Sequence, residues 1–142
     1  MSKKTSNKPK LNDVPESFQR YLDEIYTISK KSHAGWVSNK EIAEKMNVEP
    51  ASVTGMLKRL RDNGYITWEP RKRIRLTEIG KTIAMHLSDI HKTLRQFFED
   101  VLKIDDDEVV ENLSCEIEHH ISSDVKESLE NFISNYLKKQ EL

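Results

Sequence analysis

Residues 111–120 read Glu-Asn-Leu-Ser-Cys-Glu-Ile-Glu-His-His, a run dense in side chains that bind transition metals. At about 100° per residue, Glu111, Cys115, Glu118 and His119 fall within roughly a 100° arc of one helix. The apolar set Val110, Leu113, Ile117 and Ile121 lies on the far side. One stripe thus offers a thiol, two carboxylates and an imidazole at i, i+3 and i+4 spacing. Mixed S, O and N donors suit a borderline ion such as Fe(II), Zn(II) or Co(II) better than Mg(II) or Ca(II). Taken alone, the run also fits an exposed helix face with a small, half-buried Cys115.

A second cluster points to a polyanion. A helix beginning at Pro50 presents Ser52, Thr54, Gly55, Lys58 and Arg59 away from its apolar stripe of Val53, Met56, Leu57 and Leu60. Small residues at its start let the backbone approach a DNA major groove closely. The hydroxyls and Lys58 reach base edges or phosphates. Further on, Arg71, Lys72, Arg73 and Arg75 follow in close succession, and alternation places Arg73 and Arg75 on one face, suited to phosphate contact. A charged helix alone fits a solvated surface equally well. The order of the elements around it argues for DNA.

Those elements are legible from local signals. Residues 1–12 lack periodicity and read as a disordered basic tail. A helix starts near Asp13, with Phe18, Tyr21, Leu22, Ile25 and Ile28 at helical spacing. Ser38-Asn39-Lys40-Glu41 is a capping box that opens a short helix carrying Ile42, Ala43 and Met46 inward. About three residues separate it from the Pro50 helix, which stops at Asn63-Gly64. The pair reads as a helix-turn-helix. Tyr65–Trp68 and Arg73–Leu76 read as two short strands turning through Glu69-Pro70-Arg71-Lys72. A hairpin in that position is the wing of a winged helix.

From Thr77 the pattern is helical. One long helix spans roughly 78–102. Asp105 is expected to cap the next, which runs to about Ile121. Ser123 is expected to cap the last, with Val125, Leu129, Phe132, Ile133 and Tyr136 inward. The fold class is therefore mainly α: a winged helix-turn-helix of three helices and a β-hairpin over 13–76, then an all-helical domain over 77–142.

Composition narrows the function classes. The chain has 142 residues, 33% of them charged, and a net charge of −1. That total hides a split: residues 1–75 hold 16 Lys/Arg against 9 Asp/Glu, and residues 76–142 hold 7 against 15. A basic half suits nucleic acid and an acidic half suits cations. No apolar stretch reaches membrane-spanning length, and the Lys-rich start lacks a signal peptide's apolar segment. The single cysteine permits no intrachain disulfide. These features imply a reducing, cytoplasmic setting without a membrane partner.

Tyr21-Leu-Asp-Glu-Ile-Tyr26, Ile42-Ala-Glu, Ser52-Val-Thr54, Leu76-Thr-Glu-Ile-Gly80, His91 and Cys115-Glu-Ile-Glu118-His119 occur in the order and spacing of one known family. Over residues 16–137 the chain resembles the diphtheria-toxin-repressor family of metal-activated transcriptional repressors. That family includes iron-dependent repressors and manganese transport regulators. The specific element is Cys-x-x-Glu-His with a His 24 residues upstream and a winged helix before both.

The resemblance implies a DNA-binding winged helix followed by a helical domain that dimerises, with metal bound between the two. The chain length implies the form without the additional barrel domain of iron-type members. Cys115 falls where iron-type members have Cys and manganese-type members have Glu. Glu118, His119 and His91 match ligands of both branches, and Asp23 sits where the manganese branch has a Glu ligand. Arg20 occupies a ligand position of both branches, yet a guanidinium offers no lone pair. Asp23 or Glu24 then substitutes, or a water completes the sphere. Arg95 and Glu111 replace a Glu and a His of the iron branch's second site, so that site is altered, or Arg95 neutralises Glu111. The candidate ligands are Asp23, His91, Cys115, Glu118, His119 and Glu111.

The expectation is a metal-activated repressor that binds a palindromic operator as a homodimer and controls metal-uptake genes. The thiolate of Cys115 favours Fe(II) over Mn(II), the harder ion. Zn(II), Co(II) or Ni(II) would also bind in vitro, following the Irving–Williams order. The alternatives are a Mn(II)-responsive regulator of the same family and a winged-helix regulator sensing a small organic ligand. A hydrolase is not expected, because no nucleophile motif or glycine loop is present among only 4 Gly.

Overall fold

A computed structural model of the chain describes residues 11–68 and 73–141. Residues 1–10 of the expected tail and the turn holding Arg71 and Lys72 lie outside the described residues. The chain divides into two compact units, Met1–Met85 and His86–Leu142.

The first unit opens with a 3-10 turn, Leu11–Asp13, so Leu11, expected in the tail, is instead buried. Gln19 fixes this turn by donating from Nε2 to the carbonyls of Leu11 and Val14, both at 2.8 Å. Helix α1 spans Glu16–Lys31, beginning three residues later than Asp13 because Pro15 is held extended at the N-cap. Helix α2 spans Asn39–Met46 and carries the expected capping box: Ser38 Oγ accepts from Glu41 N, and Glu41 accepts from Ser38 N. Asn47, in the left-handed conformation (φ 55°), ends it. Helix α3 spans Pro50–Asp62, and Gly64 (φ 83°) turns the chain into strand β1, Ile66–Thr67. Strand β2, Arg75–Leu76, pairs antiparallel with it, Ile66 opposite Leu76. The strands are two residues each rather than four. Val37 and Ile74 form an additional bridge, at 2.9 and 2.7 Å, that no short-range pattern announces.

Leu22, Ile25, Val37, Ile42, Val53, Leu57, Leu60 and Ile74 are fully inaccessible and form the core of this unit. Burying each such side chain stabilises the unit by about 1.5–3 kcal/mol. Gly80 secures the wing's base. A Cβ there would stand 2.1 Å from the Tyr65 carbonyl oxygen, a backbone atom that cannot retreat cheaply.

Helix α4 spans Glu78–Gln96 and passes from one unit into the other. The expected helix to residue 102 ends differently: Phe97–Val101 form a π turn, and Lys103 is left-handed (φ 59°). The π turn buries Phe98 and sets Phe97 edge-on to Phe132, centroids 6.5 Å apart. Helix α5 spans Asp107–Ile117, capped by Asp106 rather than Asp105: its side chain accepts from Glu108 N and Val109 N. The α-helix stops four residues before Ile121, and Glu118–His120 continue as a 3-10 turn. Helix α6 spans Ser123–Gln140, capped by Ser122 rather than Ser123.

The buried stripe of α5 also differs from expectation. It runs Val110, Ser114, Glu118, while Leu113 is 39% exposed. Polar groups take the interior, and the leucine faces outward with Val109. On α6, Ile133 is buried as expected, but Val125 and Phe132 are 50% and 52% exposed. An amphipathic pattern identifies an apolar face without saying whether this chain or another covers it.

Candidate functional site

The second unit gathers donors that are far apart in sequence. His91 comes from α4, Cys115 from α5 and Glu118 from the 3-10 turn after it. One ligand atom from each lies within 4.8 Å of the other two. His91 Nδ1 is 2.7 Å from Glu118 Oε1 and 4.0 Å from Cys115 Sγ. Two donors sharing a tetrahedral ion at bond lengths near 2.0–2.3 Å stand roughly 3.3–3.8 Å apart. The S···N separation is close to that value, and the N···O separation is shorter because a proton now joins the pair. The donor set therefore fits one divalent transition ion, with a shift of under about 1 Å at each donor. Glu118 is 1% exposed, and His119, the next residue, is also buried.

Glu111 stands on the other side of the imidazole. Its Oε1 is 3.1 Å from His91 Nε2, and its Oε2 accepts from Cys115 Sγ at 3.3 Å. Arg95 Nη1 donates to the same Oε1 at 2.6 Å, as the pairing of these two residues in sequence suggested. Metal-binding histidines commonly give their second N–H to a carboxylate, which sets the tautomer. Glu111 occupies that place here, outside the group of three.

The electrostatics follow from this sandwich. The hydrogen bond to Glu118 raises the His91 pKa above the usual imidazole value; burial opposes this, and Glu111 reinforces it. For Glu111, burial alone would raise the carboxyl. Hydrogen bonds from Cys115, His91 and Arg95 outweigh burial and hold it below its ordinary value. Without a cation, His91 is biased toward the imidazolium.

Two candidate positions belong to the first unit. Asp23 is half-buried on α1. Arg20 pairs with Glu16 at 2.8 Å, a cation held by a carboxylate and no ligand.

On the DNA-facing candidates, Ser52, Gly55, Lys58 and Arg59 are exposed along α3, and Arg73 is exposed before β2. The Thr54 hydroxyl, half-buried, accepts from Asn39 Nδ2 at 2.9 Å and donates to the Pro50 carbonyl at 3.1 Å. It ties α2 to α3 and fixes the angle of the helix-turn-helix. Arg59 lies over the Phe18 ring and Arg75 over Trp36, so their guanidinia are held in place by stacking. Sequence reasoning missed a polar hollow of about 350 Å³ lined by Lys31, His33, Trp36, Ser38, Glu41 and Arg73. Its residues come from the stretch between α1 and α2 and from the wing, which the Val37–Ile74 bridge and the Arg75–Trp36 stack bring together.

Two family descriptions match the chain: the iron dependent repressor N-terminal DNA binding domain over residues 13–74, and the iron dependent repressor metal binding and dimerisation domain over 77–140. The chain belongs to the iron-dependent-repressor family. Members are metal-dependent, DNA-binding transcriptional regulators, not enzymes. An uncharacterized HTH-type transcriptional regulator of Methanocaldococcus jannaschii is 33% identical over 126 residues, 89% of this chain and 99% of the relative. The HTH-type transcriptional regulator MntR of Bacillus subtilis is 31% identical over 106 residues, 75% of this chain and 72% of the relative. The solved structure of the manganese regulator SloR superposes with a TM-score of 0.68 at 26% identity, covering 82% of this chain and 53% of that one. The chain thus spans about half the length of that solved relative. No described helix is long and apolar enough to cross a membrane.

Proposed function

We propose that this family member is an Fe(II)-responsive repressor that binds a palindromic operator as a homodimer and controls metal-uptake genes in the cytoplasm. The observation that carries the metal assignment is Cys115 within 4.8 Å of His91 and Glu118 donors. A thiolate prefers Fe(II) to Mn(II), and one half-buried thiol in a cluster of N and O donors tilts the choice. A Mn(II) response is the second reading. It is favoured by the hard carboxylate donors Glu118 and Asp23 and by the similarity to the manganese regulator SloR.

In this reading His91, Cys115 and Glu118 hold the ion, and His119 and Asp23 complete the set. The bound ion supplies positive charge among acidic side chains. Cys115 and His91 must each give up a proton to serve, and each faces a carboxylate: Glu118 Oε1 at His91 Nδ1 and Glu111 Oε2 at the Cys115 thiol. Residues 13–76 carry DNA binding, with Ser52, Thr54, Gly55, Lys58 and Arg59 the residues for the major groove and Arg71, Lys72 and Arg73 those for phosphates. Residues 77–142 carry dimerisation and metal binding. The half-exposed Leu102, Val109, Leu113, Val125 and Phe132 support a second copy as the partner surface of this domain. A two-fold dimer presents its α3 helices to successive major grooves when they stand about 34 Å apart. Metal raises the share of molecules in that arrangement.

The test is anaerobic. An operator is selected from a randomised duplex pool, and its binding is then titrated with Fe(II), Mn(II) and Zn(II) under reducing conditions, with a chelator control. The expected result is chelator-reversible binding, with Fe(II) activating at lower free concentration than Mn(II). Activation by Mn(II) alone replaces the iron assignment with the second reading. Operator binding unchanged by chelator overturns both.

A further inference from the structure

Arg95 sits where three carboxylates from two segments converge. Its Nη2 donates to Glu99 Oε1 and Asp107 Oδ1, each at 2.5 Å, and its Nη1 to Glu111 Oε1 at 2.6 Å. Glu99 belongs to the π turn, Asp107 is the first residue of α5, and Glu111 lies one turn further on. Glu111 in turn directs Oε1 to His91 Nε2 and Oε2 to Cys115 Sγ. Three carboxylates and an imidazole nitrogen are the donors that hard and borderline divalent ions select. Here a guanidinium already fills that space, and it stays protonated at every physiological pH.

We propose that Arg95 is a tethered internal cation that closes this acidic cluster to a second metal ion, and that it holds Glu111 as the outer partner of His91 and Cys115. Each chain then takes up one ion, at His91, Cys115 and Glu118. The inference rests on the reading of those three residues as the metal donors. Its physical basis is that the guanidinium is part of the chain, so no free ion competes with it on equal terms. Its planar fork engages Glu111 by one nitrogen and Glu99 with Asp107 by the other, so one positive charge is shared among three carboxylates. With Glu111 anchored on Nε2, His91 keeps Nδ1 turned toward Glu118 and Cys115. Arg95 is thus a positioning residue for the first ion and an occupant of the place of a second.

The experiment counts ions. Full-length protein is dialysed anaerobically against Mn(II), and metal per chain is measured by mass spectrometry. Wild type is compared with Arg95→Ala, Arg95→Gln, Arg95→Lys and Cys115→Ala, with circular dichroism to confirm folding. Expected are one ion in wild type and Arg95→Lys, and two in Arg95→Ala. Arg95→Gln removes the charge but keeps the length, and it decides the matter if the alanine variant does not fold. Two ions in wild type overturn the proposal. So does an unchanged count in the folded neutral variants, whatever happens to affinity. If Cys115→Ala binds as many ions as wild type, it is the reading of the metal donors that fails, a result separate from the Arg95 series.

Discussion

Both units of this chain bury an apolar core, but the second adds charged and polar groups to it. In the first, the inaccessible side chains are aliphatic and the functional ones, Ser52, Gly55, Lys58 and Arg59, sit outside. In the second, Ser114, Glu118 and His119 are inside, while Leu102, Val109, Leu113, Val125 and Phe132 are substantially exposed. A DNA-reading surface must stay solvated until phosphates replace water, so its unit stabilises itself through an ordinary core. A metal centre needs donors withdrawn from solvent, and that takes interior volume from apolar groups. The second unit is therefore suited to gain stability from what binds it, a cation inside and a partner outside.

That contrast can be broken by experiment. The largest effect is expected from the first unit's core. Leu60→Ala should lower the unfolding free energy by about 2–5 kcal/mol in urea titration. Leu113→Ala in the second unit should cost far less in a dilute sample, and its effect should grow with protein concentration. Equal, concentration-independent losses would remove the distinction.

Next come Cys115→Ala and His91→Ala, each expected to weaken metal binding by about 100-fold, the upper end of the loss typical for disturbing a metal site. Metal-independent, low-salt DNA binding should stay unchanged. Anaerobic competition against a fluorescent chelator measures the first quantity, and anisotropy with a random duplex the second. Lys58→Ala should do the reverse: weaker DNA binding, a salt-dependence slope lowered by about 1, and unaltered metal affinity.

The smallest effect is expected from pH. The folded His91 pKa is raised, so its imidazolium, held by Glu118 and Glu111, stabilises the metal-free fold below the ordinary imidazole value. That contribution disappears as pH rises through the raised value. Metal binding requires the neutral ring, so apparent affinity should rise across the same window. His91→Gln should flatten the part of the profile due to the imidazole. A profile identical to wild type would show that His91 carries no linked proton.

Much of the fold was legible in short stretches. Ser38 with Glu41, Pro50 and Gly64 each act on backbone within a few residues of themselves, and each sits where its local chemistry requires. The miscounts were equally local: Asp105 for Asp106 and Ser123 for Ser122. Neighbouring residues of one type offer the same oxygen, and only the approach of the chain selects between them. The site was legible by residue type alone. Cys115, Glu118 and His119 stood out as donors, but the 3-10 turn that carries the last two was not visible in their periodicity. Thr54 stands off the apolar stripe, but the tie its hydroxyl makes to α2 was not legible. Its partner Asn39 is 15 residues away, beyond any local signal.

By itself the sequence determined the helical segments, the winged-helix order and the types of ligand available, because capping, periodicity and side-chain chemistry are local properties. Only the tertiary structure decided that Glu111 meets the Nε2 side of His91 and the Cys115 thiol while Glu118 meets Nδ1, and that Arg95 fills the space beside Glu111. These residues lie up to 27 positions apart, and their distances depend on how α5 and its following turn meet α4. Hydrogen bonds select among donors at the scale of a few ångströms, and packing between elements sets that scale.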